Sequence, residues 1–279
     1  MAFKTLFSVL TDPAQIPGLL DQTTTIARKY DAHIEVLALG VDRTQTGYHY
    51  AGTNALVVQE TLTRAHEEAK SLEDSADKYL GLQDVRWGVE SGVSQLADIG
   101  RHVGLHARFS DLAVLAKPYG EGLGLELEAV VEAALFDGGV PVLVMPEGVT
   151  ALPTPKTVLV AWNESPEALR TVRAALPILK QAERVCVVVV DPPAHGPSRS
   201  DPGGMLSQFL ARHDVKTEID VLSKTLPRVS DVILRHAGDI NCDLVVMGAY
   251  GHSRFREAIL GGATRDMLEL SPLPVFMAH

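Results

Sequence analysis

A chain of 279 residues is long enough for one large or two medium domains, and a formal net charge of −10 argues against a nucleic-acid partner. The apolar fraction, 46%, is that of a globular protein, and no run of about 18 apolar residues is present to span a bilayer. Cys186 and Cys242, with no Cys-x-x-Cys pair, indicate neither a disulfide framework nor a structural zinc motif and fit a reducing cytoplasm.

The first apolar run is brief, interrupted at Ser8 and followed by no small-residue cleavage site, so Thr5 to Leu10 reads as a first strand and not a signal peptide. It ends at Thr11-Asp12-Pro13. Ile16, Leu19, Leu20, Thr23, Ile26 and Ala27 then recur at helical spacing, and Ile34 to Leu39 reads as a buried strand, which completes a β-α-β unit. A long charged helix from Asn54 to Leu80 follows, then a strand from Val85 to Val89. Ser94 to Leu105 is predicted as a helix with Leu96, Ile99 and Val103 inward. Leu112 to Ala116 is a fourth strand, Leu127 to Leu135 a Glu-rich helix, and Val140 to Met145 a fifth strand.

The stretch from Pro146 to Pro155 is rich in turn formers and separates this unit from a second, giving expected domains at 1–147 and 156–279. Lys156-Thr157-Val158 mirrors Lys4-Thr5-Leu6, and Ser165-Pro166-Glu167 supplies an N-cap, a proline at the first helical position and an acidic first turn. Val185 to Val190 is continuously apolar, as strands buried on both faces are. Helix Met205 to Arg212, strand Thr217 to Val221, helix Val229 to Ala237, strand Leu244 to Met247 and strand Val275 to Ala278 complete the second copy. Asp111-Leu-Ala-Val against Asp243-Leu-Val-Val, and Val140-Pro-Val against Leu273-Pro-Val, anchor the repeat.

The strand Leu244 to Met247 empties into a loop bearing Gly248 and Gly251. A helical segment from Ser253 to Leu260 ends at Gly261 and Gly262, and a further helix begins near Thr264. Amides at a helix start carry partial positive charge, and glycines let phosphate oxygens approach them with no Cβ in the way. The glycines also fit a plainer reading, as helix caps and turns. Charge is divided unevenly: the chain up to Thr150 holds 11 Lys and Arg against 21 Asp and Glu, and the remainder holds 14 against 14. The neutral second half can admit a polyanion near Arg254, Arg256 and Arg265.

The spacing Gly-x2-Gly-x9-Gly at Gly248, Gly251 and Gly261, followed by Ala263-Thr264, resembles the ATP-binding signature of the universal stress protein family. It departs at Gly262, where the family usually has Ser, so Thr264 carries more of the side-chain contribution. The resemblance implies an α/β fold of two tandem, open, parallel, Rossmann-like sheets with strand order 3-2-1-4-5, and a ligand beyond the carboxyl ends of the strands. It implies binding of ATP, or of AMP or ADP, with Mg²⁺ shielding the phosphates. The site residues carried over are Ala161, Asn163, Val190, Met247, Gly248, Gly251, His252, Ser253, Gly261, Gly262, Ala263 and Thr264.

Asn163 stands where the family commonly has Asp, and it also fits a simple Asx turn before the helix. The resemblance further implies a bacterial, cytoplasmic stress-response role, unidentified protein partners, no membrane or nucleic acid, and two copies packed as an intramolecular pseudo-dimer that can pair again as a homodimer.

The first copy differs. Lys117 to Gly124 carries glycines that register on no Gly-x-Gly-x-x-Gly, and Glu121, Glu126 and Glu128 put negative charge where phosphate would lie, although Asp12 falls within one position of the family's Asp. His102 and His106 share a helix face but mark no third metal ligand. No nucleophile elbow, Walker lysine or His-Glu-x-x-His is present and no residue stands out to position water, so no catalytic residue is named and ATPase activity is expected to be weak at most. The alternative to a nucleotide-binding protein is an interaction module whose partner surface is the acidic first half.

Overall fold

A computed structural model of the chain describes residues 3–43, 55–120, 123–149, 154–192, 200–251 and 262–279. They form two compact units, Ala2–Val140 and Pro141–His279. In the first, β1 (Thr5–Leu10), β2 (His33–Asp42), β3 (Arg86–Gln95) and β4 (Leu112–Ala116) make a parallel sheet in the order β3-β2-β1-β4. Its helices are α1 (Gln15–Tyr30), α2 (Ala55–Leu80), α3 (Ile99–Ala107) and α4 (Glu126–Phe136).

Every residue of β1 after Thr5 is buried, because a central parallel strand has helices over both faces. Leu6, Phe7 and Leu10 are at most 1% exposed, and each contributes about 1.5 to 3 kcal/mol by burial. In α1 the spacing of Ile16, Leu19, Leu20, Thr23 and Ala27 sets one buried face, and the helix stops at Asp31, whose backbone is left-handed at φ 50°.

The second unit contains β6 (Thr157–Ala161), β7 (Arg184–Val190), β8 (Thr217–Leu222), β9 (Leu244–Gly248) and β10 (Val275–Ala278), parallel in the order β8-β7-β6-β9-β10. Counted within the unit, that is 3-2-1-4-5, as expected. Its helices are α5 (Pro166–Leu179), α6 (Gly204–Ala211), α7 (Val229–Asp239) and α8 (Ala263–Leu270). β5 (Val142–Met145), the last strand expected of the first copy, lies in this unit and pairs antiparallel with β10, Leu143 opposite Phe276.

The two copies repeat in their hydrogen bonds as well as their pattern. One Asp111 carboxylate oxygen accepts from the amides of Lys4 (2.7 Å) and Thr5 (3.0 Å), and Asp243 does the same for Lys156 (2.7 Å) and Thr157 (2.9 Å). In each unit this carboxylate pins the start of the first strand to the start of the fourth. It satisfies two amides at the start of the strand.

The main departure from expectation is β3. It runs to Gln95, six residues beyond the expected Val89, and so takes the first two residues of the predicted helix. Its partner β2 is in register with it from His33–Arg86 through Asp42–Gln95, and that continuous pairing outweighs the poor strand propensity of Gly88, Gly92 and Ser94. Leu96–Asp98 forms one 3-10 turn before α3 begins.

Candidate functional site

The reversal of strand order that favours a ligand crevice lies between the parallel strands β6 and β9. The chain leaves β6 toward β7 and β8 on one side, while β9 and β10 lie on the other. Ala161 and Met247 are opposite each other in the last rung of the β6–β9 pair, so the loops after them leave side by side. Val190 ends β7 on the far side of β6, partly exposed, and Asp191 after it turns left-handed at φ 50°. These three expected site residues are therefore brought to the carboxyl ends of three neighbouring strands.

Asn163 is exposed in the loop after β6, and its Oδ1 accepts from the Ser165 amide at 3.2 Å, so an Asx turn is formed. Ser165 then caps α5: its backbone is extended and its Oγ accepts from the Ala168 amide at 3.1 Å, with Pro166 next and Glu167 in the first turn. The first unit has the same turn, with Asp12 Oδ1 accepting from the Ala14 amide at 2.7 Å.

The two described motif glycines differ. A Cβ on Gly248 would stand 2.6 Å from the Ala168 nitrogen, so glycine there lets the end of β9 pack on the first turn of α5. Gly251 is exposed, and among the described residues a Cβ there would meet only the Glu167 carboxylate, at an ordinary 3.6 Å. Packing by the described residues explains the first glycine and not the second.

Neither glycine makes the sharp turn. Tyr250 does, at φ 53° with its side chain buried, a backbone state that costs a non-glycine residue about 1 kcal/mol or more. The surrounding bonds hold it there: Tyr250 N–H donates to Thr264 Oγ1 at 3.0 Å, and the neighbouring Ala249 N–H donates to the Ala278 carbonyl at 3.0 Å. Thr264 is 3% exposed, and its oxygen fastens the loop. Sequence reasoning missed Tyr250, because nothing in a tyrosine between Ala249 and Gly251 signals a left-handed backbone.

Gly262 is the N-cap of α8, with an extended backbone at φ −92° and ψ 152°, and it has no side chain to bond the first-turn amides. Ala263 is exposed beside it. The acid of that first turn, Asp266, is drawn toward α7, where Ser230 Oγ donates to it at 3.3 Å and Arg228 lies 3.8 Å away. His252, Ser253 and Gly261, together with Arg254 and Arg256, lie outside the described residues.

In the first unit the corresponding helix start is filled from within. Glu126, the first residue of α4, folds its carboxylate over Gly124, where a Cβ would collide with it, and Arg43 donates to it at 2.6 Å. Glu128 accepts from the Tyr119 hydroxyl at 2.8 Å. A cleft of about 480 Å³ opens nearby between the loop at Thr11–Pro13 and α2, and its cations Arg43 and Arg64 both face Glu68, at 3.6 and 3.1 Å. The rings of His102 and His106 are 5.4 Å apart and tilted by 30°, with Glu90 3.4 Å from His106.

Residues 154–279 match the family model described as the universal stress protein family. A curated universal stress protein of Synechocystis sp. is 30% identical over 97 residues, which cover 32% of this chain and only 33%, about a third, of that relative. Among solved structures, a universal stress protein from Archaeoglobus fulgidus aligns over 99% of this chain and 96% of its own, with a TM-score of 0.70 at 17% identity. A functionally unknown protein from Pseudomonas aeruginosa PAO1 aligns over 99% and 92%, with a TM-score of 0.58 at 14% identity. At these identities the structural likeness establishes the fold over both halves and nothing finer.

Proposed function

The chain belongs to the universal stress protein family through residues 154–279, and on that premise we propose that its C-terminal unit binds an adenine nucleotide and serves a stress-response role through that occupancy. The observation that carries the reading is the contrast between the two described motif glycines. Gly248 is required by the contact with α5, whereas Gly251 is exposed and no described residue packs so closely on it that a side chain is shut out. A glycine kept open to solvent beside a strained turn and an uncapped helix start is what close approach by phosphate oxygens asks for.

In this reading the phosphate tail lies against the amides of Gly251, Gly262, Ala263 and Thr264, with Thr264 donating its hydroxyl proton. The sequence motif adds His252, Ser253 and Gly261. The nucleoside end lies across the carboxyl ends of β6, β7 and β9, at Ala161, Asn163, Val190 and Met247. Asn163 spends its carbonyl on the Ser165 amide and keeps its NH₂ to donate. ATP is the proposed ligand, ADP or AMP its shorter forms, and Mg²⁺ would reduce the charge of the phosphates. The domain limits 1–147 and 156–279, the pseudo-dimer and the cytoplasmic setting are part of the same proposal.

The test is extraction of the purified protein for adenine nucleotide by mass, followed by calorimetric titration with ATP, ADP and AMP. Stoichiometric binding near one per chain, tightening with phosphate number, is expected. A protein that carries no adenine and ignores all three nucleotides overturns the reading and favours the interaction module. Phosphate release from added ATP is expected to stay near the rate without protein.

A further inference from the structure

Outside the crevice, the second unit gathers three different metal-ligating side chains at one point. Cys186 on β7, Asp220 on β8 and His236 on α7 bring one ligand atom each to within 4.8 Å of the others. We propose that these three residues form a binding site for a single divalent ion of the zinc class.

The placement follows from the fold. β7 and β8 are parallel with Cys186 opposite Glu218 and Val188 opposite Asp220, so Cys186 and Asp220 lie diagonally on one face of the pair, and α7 sets His236 over that face. Cys186 Sγ is 2.9 Å from Asp220 Oδ2, which is 2.9 Å from His236 Nε2, and sulfur and nitrogen are 3.9 Å apart. Three corners of a zinc tetrahedron with these ligand types are separated by about 3.3 to 3.6 Å. Two edges of the triangle must open and one close, by roughly 0.3 to 0.7 Å, which side-chain torsion supplies. Every ligand stands on a regular element.

The chemistry of the set selects the ion. Thiolate with imidazole suits zinc or cobalt and not magnesium or calcium, which take oxygen ligands. On binding, the Cys186 S–H bond breaks, the metal–sulfur bond forms and the proton leaves to solvent. The thiolate and the Asp220 carboxylate then balance the dication, and His236 binds as a neutral imidazole, so no net charge is buried. Arg184, on the same face, is paired with Glu218 at 2.6 Å. The side chain of His236 is 16% exposed and that of Asp220 36%, which leaves a fourth position open to water.

Without a metal the trio is no nucleophile. The carboxylate, not the imidazole, sits between its partners, and burial and then the bond to Asp220 push the Cys186 thiol up to about 12.

The proposal is independent of nucleotide and is tested without it. The full-length protein, reduced and freed of metal with a chelator, is titrated with cobalt(II) alone. One equivalent per chain is expected to give intense visible bands and a near-ultraviolet sulfur-to-cobalt charge-transfer band, both removed by zinc. His236→Gln and Asp220→Asn, which alter partly exposed positions, should weaken cobalt binding at least about tenfold with unchanged circular dichroism. Cys186→Ser should abolish the charge-transfer band, and His102→Gln/His106→Gln in the other unit should leave it intact. Cobalt that binds weakly without a sulfur band, or a band that survives in His236→Gln and Asp220→Asn, would reduce the trio to a hydrogen-bonded cluster and overturn the proposal.

Discussion

α4 and α8 start at equivalent places in the two units, after the fourth strand of each sheet, and treat the positive end of the helix differently. α4 begins with Glu126, whose carboxylate lies over Gly124 and is neutralised by Arg43. α8 begins with Gly262, Ala263 and Thr264, and its one first-turn acid turns away to Ser230 and Arg228. An internal carboxylate meets the helix dipole in one case, and among the described residues none does in the other. The scaffold is common to both, so under the proposed function two or three residues at a helix start separate the closed copy from the one that takes the nucleotide.

The largest effect is expected where the copies are most alike. Asp111→Ala and Asp243→Ala each strip two strand-end amides of a charged acceptor and should each cost about 2 kcal/mol. Trp87 and Trp162 lie one in each unit, so urea unfolding of the Trp87→Phe and Trp162→Phe backgrounds assigns each loss. A large cost in one unit and none in the other would break the equivalence of the two scaffolds. Next is the exchange of character between helix starts. Ala263→Glu copies Glu126 onto α8 at an exposed position and should weaken ATP binding at least about tenfold, or 1.4 kcal/mol, without changing the unfolding midpoint. An unaltered calorimetric titration would detach the nucleotide from α8.

Smaller again is the reverse change. Glu126→Gln keeps the shape of the side chain and removes its charge, so Arg43 loses an ionic partner. Glu126 is buried, but Arg43 is half exposed and water takes over part of the bond, so the loss should be about 1 kcal/mol, read from the Trp87 transition. Stability unchanged within error would mean that Arg43 does not hold the closed copy shut.

The sheets were legible because central parallel strands are written as apolar runs. β1 and β4 begin and end where their runs do. β3 was not, since its length comes from pairing with β2 and not from Gly88, Gly92 or Ser94. The antiparallel course of β5 beside β10 is likewise invisible in a strand whose composition suits either direction. At the site, the Ser165 cap and the Asn163 turn could be read because both act within three residues. The left-handed Tyr250 could not, because its cause is Thr264, 14 residues on. Cys186, Asp220 and His236 were hidden for the same reason, since only the crossover from β7 through β8 to α7 brings them together.

The smallest expected effect separates the units by pH. His102 in α3 lies against the backbone of β3, where a Cβ on Gly92 would stand 2.5 Å from its Nε2. Burial, and then the neighbouring His106, hold its pKa below the usual histidine value. The unfolded chain therefore binds more protons than the folded one between that lowered value and the ordinary value near 6.5, so stability of the first unit falls as pH drops through this window and levels off below it. The loss is less than about 1 kcal/mol, because a tenfold change in proton affinity is worth about 1.4 kcal/mol and water screens a ring that is only partly buried. In His102→Gln the slope of the Trp87 transition midpoint against pH should flatten below pH of about 6.5, while the slope of the Trp162 transition stays as it was. An identical slope with and without His102 would assign the acid sensitivity of the first unit to another group.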